Sequence, residues 1–238
     1  MSYITFFPDD SRSSADKLKI IDDGHEQRID AMRSNQSFQS YAADYWDTGS
    51  DIGYGGYRYD GRYRESAERM VAHYGLQPGD RILEVACGKG FLLVEFLKLG
   101  MQVAGIEYSE YAVNNAHPEV KPFIRCEDFT ESRLEPGGYD LVYAKDCLPH
   151  MPLEKMQAII RNCINASRRH IFFEIEVARN DYEDEKLYQW DITHITRKSP
   201  EWWESLLREV NFKGDHHFKV LVEDPRLESI KNWQTTLH

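Results

Sequence analysis

The chain has 238 residues, 41 % of them hydrophobic, and a formal net charge of −11. That length points to one domain with modest elaborations, long enough to bury about 70–75 % of its unfolded surface without staples. The acidic balance argues against a nucleic-acid partner, and no apolar run approaches the roughly 20 residues that span a bilayer.

The opening stretch, MSYITFFPDDSRSS, has no basic segment ahead of an apolar one, so no export signal is expected. The four cysteines, Cys87, Cys126, Cys147 and Cys163, form no CxxC pair. This spacing argues against zinc and fits reduced thiols, and it points to a cytoplasmic protein that uses no metal. Residues 14–33 show helical periodicity around Leu18, Ile21, Ile29 and Met32, interrupted at Gly24, which predicts one or two helices lying on a body formed elsewhere. The aromatics between Phe38 and Trp46 would dock them. GYGGYRYDGRY, residues 53–63, alternates tyrosine and glycine where neither helix nor strand reads well.

From residue 63 the pattern clears. A helix over 65–74 ends at Gly75, and QPGD at 77–80 is a turn. Apolar runs at 81–86, 102–107, 121–126, 139–145 and 170–176 read as strands, with helical patterns between them. Such alternation of near-continuous apolar strands with helices is the signature of a parallel sheet covered on both faces. A serine-capped helix with proline at its first position begins at Ser199. HHFKVLVED and ESIKNWQTTLH then read as two strands of a terminal hairpin.

The chemistry concentrates at strand ends. ILEVACGKG puts an acid, Glu84, and the turn Ala86-x-Gly88-x-Gly90 between an apolar strand and an apolar helix. Glycines there let backbone approach a ligand closely and leave a helix N-terminus open to it. GIEYS places Glu107 at the end of the second strand, where an acid can accept from ribose hydroxyls. A nicotinamide dehydrogenase would share those two features, but the GxGxxG spacing is missing. CEDF adds Asp128 after the third strand, and YDLVYAKDCLPHM follows as the fourth.

With these four motifs in order, the chain resembles the class I S-adenosylmethionine-dependent methyltransferases over residues 63–238. The resemblance implies an α/β fold: a doubly wound, mostly parallel seven-stranded sheet with an antiparallel C-terminal hairpin. Residues 1–62 would form an N-terminal helical lid. It implies that Glu84 and the Ala86–Gly88–Gly90 turn hold the methionine end of the cofactor. Glu107 would hold the ribose, Tyr108 and Phe129 would flank adenine, Asp128 would accept from its amine, and Lys145 would lie near the methionine moiety. Ala86 stands where the family usually has its first glycine, and its small side chain suggests little change.

On the acceptor side, Asp146 and His150 sit in the loop after the fourth strand, where Asp146 would orient the acceptor or the base. His150 is the first candidate for a general base, since imidazole titrates near neutrality; a helix-capping role is the alternative. WDITH, residues 190–194, supplies His194 as a second candidate base and Trp190 as an acceptor contact, or else as a plug under the loop. The acidic run DYEDE reads as a solvated face. Tyr54, Tyr57 and Tyr59 read as lid residues over the cleft and Arg62 as an anion contact, with a rigid structural loop as the competing reading. A small polar acceptor, methylated at oxygen, is expected. An N-methyltransferase, an NAD(P)-dependent oxidoreductase and a non-catalytic cofactor-binding protein are the alternatives. The sequence leaves monomer and homodimer equally open.

Overall fold

The computed structural model describes residues 4–7, 13–47, 52 and 57–227. Its N-terminal part is helical: α1 (Ser14–Asp23), α2 (His25–Ser34), α3 (Gln36–Gln39) and α4 (Ala43–Trp46). A capping box starts α1, with Ser13 and Asp16 satisfying each other's backbone N–H. Gly24 separates α1 from α2, at the interruption expected from the sequence. Next comes α5 (Arg64–Tyr74), closed by Gly75 in the left-handed conformation at φ +60°.

The sheet then alternates with helices: β1 (Arg81–Val85), α6 (Phe91–Lys98), β2 (Gln102–Glu107), α7 (Glu110–Asn114), β3 (Ile124–Cys126), β4 (Tyr139–Lys145), α8 (Met156–Ala166) and β5 (Ser167–Glu176). Two helices, α9 (Asp181–Trp190) and α10 (Pro200–Glu209), lead to β6 (Asp215–Lys219). Strand order is β3-β2-β1-β4-β5-β6. Every neighbouring pair is parallel.

Two expectations are corrected here. The sheet has six described strands rather than seven, all of them parallel, so no antiparallel strand stands among the described residues. β6 enters through the crossover of α9 and α10, which returns the chain in the parallel sense, and it ends at Lys219, short of the end of the hairpin's expected first arm. The second arm, residues 228–238, lies outside the described residues. The run at 121–126 is likewise shorter than expected, because Lys121–Phe123 with Pro122 at its start coils into a 3₁₀ turn.

Alternating side chains along each strand feed two cores, one per face. Along β5, Phe173 packs with Trp203, Phe212 and Ile160 on one side, while Phe172 packs with Phe96, Tyr143 and Met70 on the other. Burying each of these large side chains contributes about 1.5–3 kcal/mol. The first described residues join the second core: Phe6 meets Phe172 at 4.9 Å, and the Ile4 N–H donates to the His216 carbonyl at 3.1 Å. Met32, Phe38 and Tyr45 form a third, smaller cluster, which includes Trp46 and Ile192. Thus the N-terminal helices rest on the C-terminal ends of the strands. Strand order reverses between β1 and β4, and that is where a crevice opens in such sheets. No helix among the described residues is long and apolar enough to cross a membrane.

Candidate active site

The turn after β1 is left-handed three times, with φ +55° at Ala86, +55° at Gly88 and +74° at Gly90. For alanine this conformation costs about 1–2 kcal/mol, so its small size does not make it neutral. At Gly88, a Cβ would come within 3.0 Å of the Trp46 ring and 3.5 Å of Tyr57. The Gly88 N–H donates to Glu107 Oε2 at 2.7 Å, and the Ser109 N–H donates to Glu107 Oε1 at 2.7 Å. Glu107 therefore ties the turn to the start of α7. Burial raises its pKa, and the backbone N–H groups restrain that rise. Gly90 has another role: a Cβ there would lie 2.8 Å from Val120 and Ile124, so glycine allows α6 to approach β3.

A cavity of about 420 Å³ lies above the turn, within the range of small-ligand sites. Glu84, Ala86 and Gly88 line one side, and Tyr108, Asp128 and Phe129 another. Glu84 Oε2 is buried without a hydrogen-bond partner, and burial pushes the carboxyl up to about 8. Asp146, directly after β4, is held in the left-handed region at φ +51°. Its Oδ2 accepts from Lys145 and, at 3.0 Å, from Lys219, while Oδ1 is buried and unpartnered. Although Asp146 is buried, its two lysines hold its pKa well below the carboxylate range. Lys145 lines the cavity, yet its charge faces Asp146 and, at 3.2 Å, Glu174.

The roof comes from the N-terminal segment. The Trp46 indole N–H donates to the Tyr41 carbonyl at 2.9 Å and to Ser109 Oγ at 3.1 Å. Asp47 receives Lys89 at 2.7 Å and the Tyr111 hydroxyl at 2.7 Å. Tyr57 stacks on Phe91 with ring centres 4.7 Å apart. Of the expected lid residues, Tyr57 lines the cavity and Tyr54 lies outside the described residues. Tyr59 instead bonds Glu95 and Lys98 on α6. Arg62 forms an exposed fork with Asp60, away from the cavity lining. Trp190 is also outside it; its carbonyl accepts from Arg28 at 2.8 Å, and the guanidinium sits 5.4 Å from its ring, clamping α2 to α9. Tyr59 and Trp190 fasten separate parts of the fold together, whereas Arg62 ties only its own loop.

His150 lines the cavity at the end of a short 3₁₀ turn (Leu148–His150). His194 lies beneath it, buried, with ring centres 4.1 Å apart. The buried His194 ring donates to the Asp191 carbonyl at 3.0 Å and to Glu176 Oε2 at 2.6 Å. Burial opposes its charge, but Glu176 outweighs burial and pushes it up to about 9. His150 moves the other way, to about 4, through burial and its charged neighbour. Ligand atoms of His150, Glu176 and His194 lie within 4.8 Å of one another, the one described group with metal-ligand chemistry. Sequence reasoning missed Asp191 and Thr193 as partners of His150, and Tyr41, Tyr45, Trp46 and Asp47 as roof residues; the aromatic density at 38–46 was their signal.

Residues 82–170 match the family described as a methyltransferase domain. A sterol 24-C-methyltransferase of Gibberella zeae is 27 % identical over 181 residues, covering 68 % of this chain and 46 % of that protein. A ubiquinone biosynthesis O-methyltransferase of Bordetella parapertussis is 32 % identical over 107 residues, covering 42 % of this chain and 44 % of that one. The chain thus spans less than half the length of each of these relatives. Among solved structures, an Archaeoglobus fulgidus S-adenosylmethionine-dependent methyltransferase shares the fold with a TM-score of 0.51 at 20 % identity, over 63 % of this chain and 69 % of that one. A Haemonchus contortus phosphoethanolamine N-methyltransferase has a TM-score of 0.51 at 18 % identity, over 78 % of this chain and 44 % of that one. Residues 82–170 are thus similar to a methyltransferase domain, and the fold is one shared with S-adenosylmethionine-dependent methyltransferases, whose cofactor is S-adenosylmethionine. The donor set suits that group: a buried carboxylate with one unpartnered oxygen for an ammonium, a strand-end carboxylate for ribose hydroxyls, and a glycine at 88 that keeps the turn open beneath the roof.

Proposed function

We propose that this chain transfers the methyl group of S-adenosylmethionine to a small polar acceptor, at oxygen. One observation carries the reading: His150 lies on the wall of the same cavity as Glu84, whose Oε2 is unpartnered, under a roof of aromatic side chains. Bound there, the cofactor supplies an electrophilic methyl group on a sulfonium sulfur. Glu84 takes its ammonium, Glu107 its ribose hydroxyls, and Asp128 with Phe129 its adenine. Trp46 and Tyr57 exclude water from the reacting atoms, which leaves positioning as the main catalytic contribution. A hydroxyl acceptor must lose its proton, and His150 is the neutral imidazole beside the cavity that can take it.

A second reading, transfer to an amine, is favoured by Asp146. Its unpartnered Oδ1 on the cavity wall is a ready acceptor for an ammonium or amine N–H. The relatives named above carry C-, O- and N-methyltransferase names, so they support no single acceptor atom. The deciding experiment has two stages. S-Adenosylmethionine and S-adenosylhomocysteine should raise the melting temperature and NAD should not; stabilisation by NAD alone would end the reading. Release of S-adenosylhomocysteine with hydroxylated acceptors, against matched amines, then chooses between oxygen and nitrogen.

A further inference from the structure

We propose that Thr193 and Asp191 are positioning residues. Through a chain of hydrogen bonds they hold His150 in the neutral tautomer that carries its proton on Nδ1 and the lone pair on Nε2. The proposal rests on the methyltransferase reading only for the use made of that lone pair; the tautomer itself follows from counting protons.

Asp191 Oδ1 accepts the Thr193 N–H at 2.8 Å and the Thr193 hydroxyl at 2.6 Å, while Oδ2 accepts the Tyr45 hydroxyl at 3.0 Å. A carboxylate only accepts, so the single proton of Thr193 Oγ1 is committed to Asp191. The next contact, Thr193 Oγ1 to His150 Nδ1 at 2.9 Å, can therefore be made only if the imidazole donates. Nε2 is then the unprotonated nitrogen. Neutral imidazole is favoured by what lies below. Both nitrogens of His194 face acceptors, the Asp191 carbonyl and Glu176, so that ring carries two protons and a positive charge. The rings are only 4.1 Å apart, and a second charge at His150 would repel the first. The groups facing His150 are Asp191, Thr193, His194, Glu176 and, with ring centres 6.1 Å away, Tyr41. The two acids favour a charge there, but burial and His194 outweigh them.

The arrangement also links the proton acceptor to the roof. Tyr45 ends the relay at Asp191, and it belongs to α4, the element that carries Trp46 over the glycine turn. A displacement of α4 can therefore reach His150 through Asp191 and Thr193.

Long-range ¹H–¹⁵N NMR of the imidazole nitrogens tests this in the full chain without acceptor or cofactor. The His150 signals are assigned by their loss in His150→Gln. At pH 7 His150 should show protonated Nδ1 and bare Nε2. Thr193→Val, close in shape but unable to accept, should convert it to a mixture of tautomers, and Thr193→Ser should restore the single form. An imidazolium or an Nε2–H tautomer in the native chain would overturn the proposal, as would an unchanged spectrum in Thr193→Val. Stoichiometric uptake of Zn²⁺ or Mn²⁺ that perturbs His150 and His194 together would also overturn it, assigning the cluster to a metal. Failure of S-adenosylmethionine to bind would defeat the proposed function while leaving this spectrum untouched, so the two readings fail separately.

Discussion

Glu84 shows how one side chain links burial to ligand chemistry. Its carboxyl is pushed up to about 8 by burial, with Oε2 unpartnered, so it is mostly protonated at pH 7 in the free chain. An ammonium placed beside it would favour the ionised form and expel the proton. Cofactor binding at pH 7 should release nearly one proton per chain, falling toward none above about pH 9. Titration calorimetry in buffers of different ionisation enthalpy measures that number. Glu84→Gln should abolish the release and weaken binding about 10–100-fold, the loss expected for a charge-assisted hydrogen bond. Binding with no proton exchange in the native chain would refute the assignment. Ala86 offers a second test. Ala86→Gly removes left-handed strain of about 1–2 kcal/mol at an entropic cost of about 0.5–1 kcal/mol, so melting should hold or rise, by up to about 6 °C; a lower value would show that the strain is absorbed elsewhere. These positions were legible in the sequence because an acid at the end of an apolar strand has a fixed place in a parallel sheet. Asp191 and Thr193 were not, since spacing along a loop does not say which hydroxyl accepts from which ring.

At the scale of elements, the roof is the least regular part of the fold and the part nearest the ligand. Helix α4 has four residues and no side-chain cap, too short to be stable alone. It is fixed from outside, by Trp46 on Ser109 and by Asp47 on Lys89 and Tyr111. Asp47→Ala should therefore leave the core intact and loosen the roof, with Lys89 losing its carboxylate partner. We expect a fall in melting temperature of no more than about 2–4 °C, the shift for about 1 kcal/mol in a chain of this size, but faster proteolysis before residue 60 and weaker cofactor binding. Unchanged protease sensitivity and affinity would remove α4 from the site. Helix α9 was missed from the sequence for a physical reason. Its acidic first turn read as solvated, yet Glu183 is buried, bonded to Arg179 and to the Asp224 N–H. A carboxylate whose charge is met by a guanidinium four residues earlier leaves no mark on hydrophobic periodicity.

For the whole molecule, the parallel sheet and its crevice followed from alternating apolar strands and helices, whereas the direction of β6 depended on how the chain crossed over after β5. The same topology sets the response to pH. Burial under the roof raises Glu84 from 4.5 to about 8, and the ion pair with Glu176 raises His194 from 6.5 to about 9. For each group the folded chain holds its proton after the unfolded chain has lost it. Stability from Glu84 is thus lost as pH rises from 4.5 through 8, and stability from His194 as it rises from 6.5 through 9. His150, lowered to about 4, has the opposite sign: its contribution is present above 6.5 and lost as pH falls toward 4. His216, which burial also lowers to about 4, has the same sign as His150. Glu84 therefore offsets only one of these two histidines between about pH 4.5 and 6.5, whereas Glu84 and His194 act together above pH 6.5. Unfolding by urea should show stability rising to a maximum near pH 6.5 and a loss on the order of a few kcal/mol by pH 9. Saturating cofactor should remove the Glu84 share, because an ionised carboxylate beside an ammonium no longer resists deprotonation. His194→Gln should remove the other share and flatten the alkaline limb from a lower starting point. Equal urea midpoints at pH 6.5 and pH 9 in the native chain would show that neither proton is held by the fold.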